Sequence, residues 1–193
     1  MKRELIVQEL VNELHDLSAL FRTAERITLL RAALNVPTCT VQQITAKTGL
    51  SKGLVSPYLT LLARDGLLAK NDRTYQLKFS PLTVAIKRLL NIDRITTVKK
   101  PVWASGIGLF GSWAEGINTE ESDIDIWVYP YTLPTGIMVA ELERDISRAL
   151  SAEVHVLVLT REKIAGMKDS DEPFYRSFVK QAITLEGDSP DTI

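Results

Sequence analysis

Gly111-Ser112, followed after a ten-residue gap by Asp123-Ile124-Asp125, has the residue types and spacing to handle phosphate and metal together. Ile107-Gly108-Leu109-Phe110 reads as a short apolar strand ending at the Gly-Ser pair. Gly111 permits close backbone approach, and Ser112 adds a hydroxyl donor. Backbone N–H groups in a turn entering a helix can cradle phosphate oxygens, with the helix dipole adding positive potential. Asp123 and Asp125 stand at i and i+2, so on a strand both carboxylates face one side while Ile124 and Ile126 face the core. Carboxylates on one face suit Mg²⁺, which is held by a few carboxylates and substrate phosphates. Two ions about 3.5–4 Å apart activate an attacking oxygen and stabilise a leaving one. The matching chemistry is attack on the α-phosphorus of a nucleoside triphosphate with release of pyrophosphate. Either half of the pattern alone is common, and Asp123 alone reads as a cap or turn residue. Asp125 is harder to explain that way, because a charge between Ile124 and Ile126-Trp127-Val128 disfavours burial unless paired.

The elements that must position these residues follow from periodicity. Asp125–Tyr129 and Val154–Leu159 read as strands, and Ile183-Thr184-Leu185 as a last short one. Met138–Leu150 is helical, with Met138, Leu142, Ile146 and Leu150 four residues apart, and a further helix covers 172–182. The first half reads differently. An amphipathic helix spans 3–21 through Ile6, Leu10, Leu14, Leu17 and Phe21; it packs within the chain or serves a homodimer contact. Helices over Ala24–Asn35, Val41–Thr48 (capped by Thr40, closed by Gly49) and Ser51–Asp65 follow. Two strands, Leu67–Lys70 and Thr74–Phe79, flank a hairpin tip at Asn71-Asp72-Arg73. After Pro81 a helix carries Val84, Leu89, Leu90 and Ile95, and Thr96–Pro101 reads as the domain boundary.

Charge divides along the same line. Residues 1–95 hold 14 Lys/Arg against 8 Asp/Glu, a net of +6; residues 96–193 hold 9 against 16, a net of −7. A basic half suits a polyanionic partner, and an acidic half suits carboxylates gathered for metal. No apolar run approaches the ~20 residues of a membrane helix, so no membrane partner is expected. The start lacks the apolar core of a signal peptide, and one cysteine cannot form an internal disulfide. A cytoplasmic location is the expectation, with Cys39 incidental. His15 falls on the polar side of the first helix. Trp113 either covers the phosphate turn or packs, and Trp103 and Trp127 belong to the core.

The segment from Thr40 to Leu68 resembles the winged-helix transcription regulators, with Ile44, Ala46, Gly49, Leu50, Val55, Leu59, Leu62 and Gly66 at their core and turn positions. That resemblance places Ser51, Lys52, Ser56 and Tyr58 of the second helix of the pair in a DNA groove. Arg73 at the wing tip would reach a flanking phosphate. Against this stand the single basic residue in the first turns of that helix, Lys52, and Pro57 inside it; the same unit could instead serve protein contact.

The stretch from Gly108 to Val128 resembles the DNA polymerase beta nucleotidyltransferase superfamily, in its small minimal form, over about residues 100–187. The resemblance implies phosphate binding by Gly111 and Ser112 and metal binding by Asp123 and Asp125. It places a third, catalytic acid at the position of His155. Here the chain departs from the pattern: His155 acts itself, or Glu153 on the same strand face substitutes. An imidazole can accept a proton near neutral pH and suits softer ions, so Mn²⁺ joins Mg²⁺ as a candidate.

The expected architecture is α+β. Residues 1–95 form a winged helix-turn-helix with flanking helices, and residues 100–190 a small mixed-sheet nucleotidyltransferase domain. One function is metal-dependent transfer of a nucleoside monophosphate from a nucleoside triphosphate to an acceptor hydroxyl on protein, RNA or a small molecule, beside DNA binding. The other is a DNA-binding regulator whose second domain binds nucleotide without turnover. The family likeness alone adds a partner-modifying role in a toxin–antitoxin pair.

Overall fold

The computed structural model describes residues 17–190. The expected helix over 3–21 is therefore seen only as α1, Leu17–Phe21; Ile6, Leu10, Leu14 and His15 lie outside the described residues. The chain divides into two compact units, residues 1–83 and 84–193. Both are α+β, each with one small sheet. Among the described residues no helix is long and apolar enough to cross a membrane.

In the first unit, α2 (Ala24–Leu34) starts where the Thr23 hydroxyl accepts from the Arg26 N–H, and it buries Leu29, Leu30 and Leu34. A three-residue strand follows, β1 (Thr38–Thr40), which is not among the strands expected from the sequence. The reason is tertiary: β1 pairs with β3, Cys39 opposite Tyr75, and its Cys39 side chain is buried. Thr40 and Gln43 exchange side-chain-to-backbone bonds in a capping box that opens α3 (Val41–Thr48). Gly49, at φ +71, closes α3 in the left-handed conformation that glycine adopts most easily. Next come α4 (Lys52–Arg64), which continues through Pro57, and the hairpin β2 (Leu68–Asn71) and β3 (Thr74–Leu77). Asn71 pairs with Thr74, so the tip is the two-residue turn Asp72-Arg73. The sheet order is β1-β3-β2, antiparallel throughout.

The division falls in the first turn of α5 (Pro81–Ile95), so most of this helix belongs to the second unit. There the strands are β4 (Ala104–Phe110), β5 (Ile124–Pro130), β6 (Val154–Val158) and β7 (Ile183–Gly187), in the order β6-β5-β4-β7. β4 runs antiparallel to β5 and β7, while β5 and β6 are parallel. A parallel pair needs a crossover, supplied here by α7 (Gly136–Leu150), whose Glu143 carboxylate accepts from the Val156 N–H of β6 at 2.9 Å. The remaining helices are α6 (Gly111–Glu115), α8 (Arg161–Ser170) and α9 (Glu172–Gln181).

The two-residue alternation of strands sorts the core into two layers. Ile124, Ile126 and Val128 pack with Leu109, Ile107, Trp113, Ile146 and Leu150. Trp127 and Leu159 pack on the other side with Ile164, Met167 and Phe178, where Phe110 and Tyr129 join them. On α5, Leu89 is 53% exposed. The side chains that α5 buries include Thr83, Ile86, Lys87, Leu90, Asn91 and Ile95.

Candidate functional site

β4 delivers Gly111 at its carboxyl end, and antiparallel pairing sets Phe110 opposite Asp125. Gly111 has φ +64, and a Cβ there would lie 2.4 Å from Asp125 Oδ2. The backbone conformation favours glycine, and any larger residue would push the Asp125 carboxylate aside. This brings the Gly-Ser turn and the Asp-x-Asp strand together directly. The peptide N–H groups at the start of α6 precede any intrahelical acceptor. At the other end of α6, the Ser112 carbonyl accepts from Ile117 and Asn118.

Asp123 stands just before β5 and is exposed; Asp125, the second strand residue, is half-buried. The carboxyl of Asp125 titrates above its ordinary range. Burial is the main cause, the charge of Asp123 adds to it, and His155 opposes it. β6 sets His155 directly beside Asp125 in the parallel ladder. The His155 Nε2 lies 3.4 Å from Asp123 Oδ2 and 3.8 Å from Glu153 Oε1. The starts of the two strands are tied by Ile124 N–H donating to the Glu153 carbonyl at 2.9 Å. Five of the six residues named from sequence thus border one another: Gly111, Asp123, Asp125, Glu153 and His155. Ser112 follows in the same turn.

The donor set fits a divalent cation chemically. It offers carboxylate oxygens and one imidazole nitrogen, and a desolvated carboxyl such as Asp125 is the group a cation would stabilise as the anion. Among the described residues, no group of three His, Cys, Asp or Glu side chains is already gathered around one point. His155 turns toward Asp123 and Glu153, whereas Asp125 turns toward Gly111.

A buried polar cluster, not anticipated from sequence, fixes the loop between the two motifs. The ammonium of Lys87 donates to the Asn118 carbonyl, and Asn91 Nδ2 donates to Asn118 Oδ1 at 2.8 Å and the Trp113 carbonyl at 2.9 Å. Burial pushes the Lys87 ammonium down to about 8. The signal was present as Thr83, Lys87 and Asn91, polar side chains four residues apart along the buried side of α5. Trp113 is buried too, its indole N–H donating to the Ser122 carbonyl at 3.3 Å, so it packs against the loop.

Residues 95–170 match the polymerase beta nucleotidyltransferase family. The matched stretch contains Gly111, Ser112, Asp123, Asp125, Glu153 and His155. Solved structures to which the chain shows some similarity include three toxin–antitoxin structures. A toxin–antitoxin with AMP-PNP is 24% identical over 52% of this chain and 77% of that one, at a TM-score of 0.39. A tri-AMPylated Shewanella oneidensis HEPN toxin in complex with MNT antitoxin is 23% identical over 54% and 76%, at 0.37. A MntA–HepT toxin–antitoxin is 20% identical over 55% and 75%, at 0.33. No curated protein matches the chain.

In the first unit, Lys52, Ser56 and Arg73 line one cleft of about 420 Å³ together with Gln42, Lys70 and Tyr75. Ser51, the exposed N-cap of α4, stands beside Lys52. Tyr58 does not join this surface, which corrects its expected DNA contact. It is 3% exposed, its hydroxyl donates to the Leu20 carbonyl at 2.8 Å, and burial pushes its pKa up. The cause is helical phase: Tyr58 shares the inward stripe of α4 with Val55, Leu59 and Leu62. Cys39 is buried, and desolvation pushes its thiol up to about 11, which suits a packing residue rather than a nucleophile.

Proposed function

We propose that this chain is a metal-dependent nucleotidyltransferase that moves a nucleoside monophosphate from a nucleoside triphosphate to an acceptor hydroxyl. The observation that carries this reading is the contact of Gly111 with Asp125 inside the region that matches the family. Gly111 and Ser112 hold triphosphate oxygens through backbone N–H groups and the Ser112 hydroxyl. Asp123 and Asp125 would hold Mg²⁺ or Mn²⁺, which neutralises the charge developing on phosphate. His155 accepts the proton of the acceptor hydroxyl, with Glu153, 3.8 Å away, as the alternative base. The hydroxyl oxygen bonds to the α-phosphorus, the bond to the bridging oxygen breaks, and pyrophosphate leaves. A positioned general base is worth about 10²–10⁴ in rate. Incubation with labelled nucleoside triphosphates, Mg²⁺ or Mn²⁺, and cell extract tests this. Label transfer that disappears in Asp123→Asn/Asp125→Asn is the expected result, and label that persists in that variant refutes it.

The same proposal gives residues 1–95 the role of a winged helix that binds DNA and residues 100–190 that of the nucleotidyltransferase domain. The +6 charge of residues 1–95 and the cleft carrying Lys52, Ser56, Lys70 and Arg73 support DNA as the polyanion. Lys52→Ala and Arg73→Ala should weaken a gel shift and flatten its salt dependence. Unchanged binding at low salt would remove the DNA role.

A second reading is favoured by one contact. His155 rests against Asp123, where a third carboxylate was expected. In that reading the chain is a DNA-binding regulator that holds nucleotide without turnover. Nucleotide-dependent DNA retention without label transfer would select it.

A further inference from the structure

The sheet face that carries Asp125 also carries a row of phenylalanines. Phe110 lies opposite Asp125 in the β4–β5 ladder and immediately precedes Gly111. α9 packs against α6, the helix that begins at Gly111. Phe178 of α9 meets the Phe110 ring edge-on, with centroids 5.4 Å apart and planes at 68°. One helical turn earlier, Phe174 stacks on Phe178 with centroids 6.3 Å apart and planes at 27°.

The two ends of this row differ. Phe178 is 4% exposed, whereas Phe174 is 43% exposed. The other aromatic rings of this layer are occupied. Trp127 is fully buried, the Tyr129 hydroxyl accepts from Arg161, and Lys168 lies over the Tyr175 ring. The row therefore starts beside the Gly-Ser turn and Asp125 and ends on an open aromatic ring.

We propose that Phe174 is the nucleobase platform of the nucleoside triphosphate site. This rests on the nucleotidyltransferase reading, with the triphosphate at Gly111 and Ser112. An aromatic face binds the π-face of a base and leaves its hydrogen-bonding edge unread, so several bases are accepted and larger purine rings bind more tightly. Phe178 and Phe110 act as positioning residues that hold Phe174 against the site.

Calorimetric titration of the full chain in Mn²⁺ separates this platform from the phosphate site. The probes are inorganic triphosphate, ATP and CTP; the proteins are wild type, Phe174→Ala and Phe174→Trp. Wild type should bind ATP more tightly than CTP, and CTP more tightly than triphosphate. Phe174→Ala should weaken ATP about 5- to 100-fold while leaving triphosphate affinity unchanged. Phe174→Trp should restore ATP binding, and its added indole fluorescence should be quenched by ATP. Unchanged ATP affinity in Phe174→Ala overturns the platform, as does an equal loss for triphosphate. If wild type binds neither triphosphate nor ATP, the phosphate site itself is wrong and the platform falls with it.

Discussion

Replacing Gly111 with alanine perturbs the candidate site at one atom, and its two costs are separable. The first is backbone strain, since φ is +64 and an L side chain in the left-handed region costs about 1–2 kcal/mol. The second is steric: the new Cβ would lie 2.4 Å from Asp125 Oδ2 and 3.2 Å from its Cγ, so the carboxylate must swing aside. An off-rotamer displacement adds about 0.5–1.5 kcal/mol, which brings the expected loss to about 1.5–3.5 kcal/mol. Gly49 calibrates the first cost, because its φ is +71 and nothing lies within 4 Å of an added Cβ. All three tryptophans, Trp103, Trp113 and Trp127, belong to the second unit, so their fluorescence in urea follows that unit alone. Gly49→Ala is followed by far-UV circular dichroism. Gly111→Ala should cost more than Gly49→Ala. The excess should disappear in Gly111→Ala/Asp125→Ala, giving a coupling of about 0.5–1.5 kcal/mol. Mn²⁺–nucleotide affinity should fall with Gly111→Ala and stay unchanged with Gly49→Ala. Equal costs at the two glycines, with no coupling to Asp125, would refute the contact.

The remaining predictions concern Lys87, Tyr58 and His155. The folded pKa of Lys87 is held near 8, below its unfolded value, so the unfolded chain binds more protons as pH rises from about 8 to 10.5 and stability should climb across that window. Relative to Lys87→Met, which removes this titration, the climb should reach about 3 kcal/mol in denaturant titrations at stepped pH, and a flat difference contradicts it. Tyr58→Phe strips the donor from the buried Leu20 carbonyl and should cost about 1–2 kcal/mol in urea while leaving DNA affinity unchanged; a gel shift weakened in the folded variant would return Tyr58 to the DNA surface. His155→Asp should raise Mg²⁺-supported transfer relative to Mn²⁺ by at least about tenfold, read from initial rates with each ion, and an unchanged ratio would remove His155 from the site.

Local chemistry was the most legible in the sequence. The turn at Gly111 and the caps at Thr40 and Gly49 depend on neighbours within a few residues, and each forms where those neighbours dictate, whereas Asp123 falls just before the strand that carries Asp125. His155 came to notice through the family resemblance rather than through any strand pairing visible in the sequence; the parallel ladder sets it beside Asp125. Tyr58 was misread by residue type, although the stripe of Val55, Tyr58, Leu59 and Leu62 carried the inward phase. The Lys87–Asn91–Asn118 cluster was missed because its bonds span 22 to 31 residues, and nothing local marks a lysine for burial. Helix α8 was missed for a related reason: only Ile164 and Met167 are buried along it, too few to reveal a period. Strand β1 exists because β3 offers it a ladder, which three residues of sequence cannot disclose.

The central claim is nucleotidyl transfer at Gly111, Ser112, Asp123 and Asp125, and the position of the label tests it most directly. The protein is given α-labelled and γ-labelled nucleoside triphosphate in parallel, with Mn²⁺ and cell extract as acceptor. The account predicts that α-label becomes attached to an acceptor while γ-label appears only in pyrophosphate, both lost in Asp123→Asn/Asp125→Asn. Attachment of the γ-label, or no release of pyrophosphate from a protein that binds the nucleotide, would contradict it.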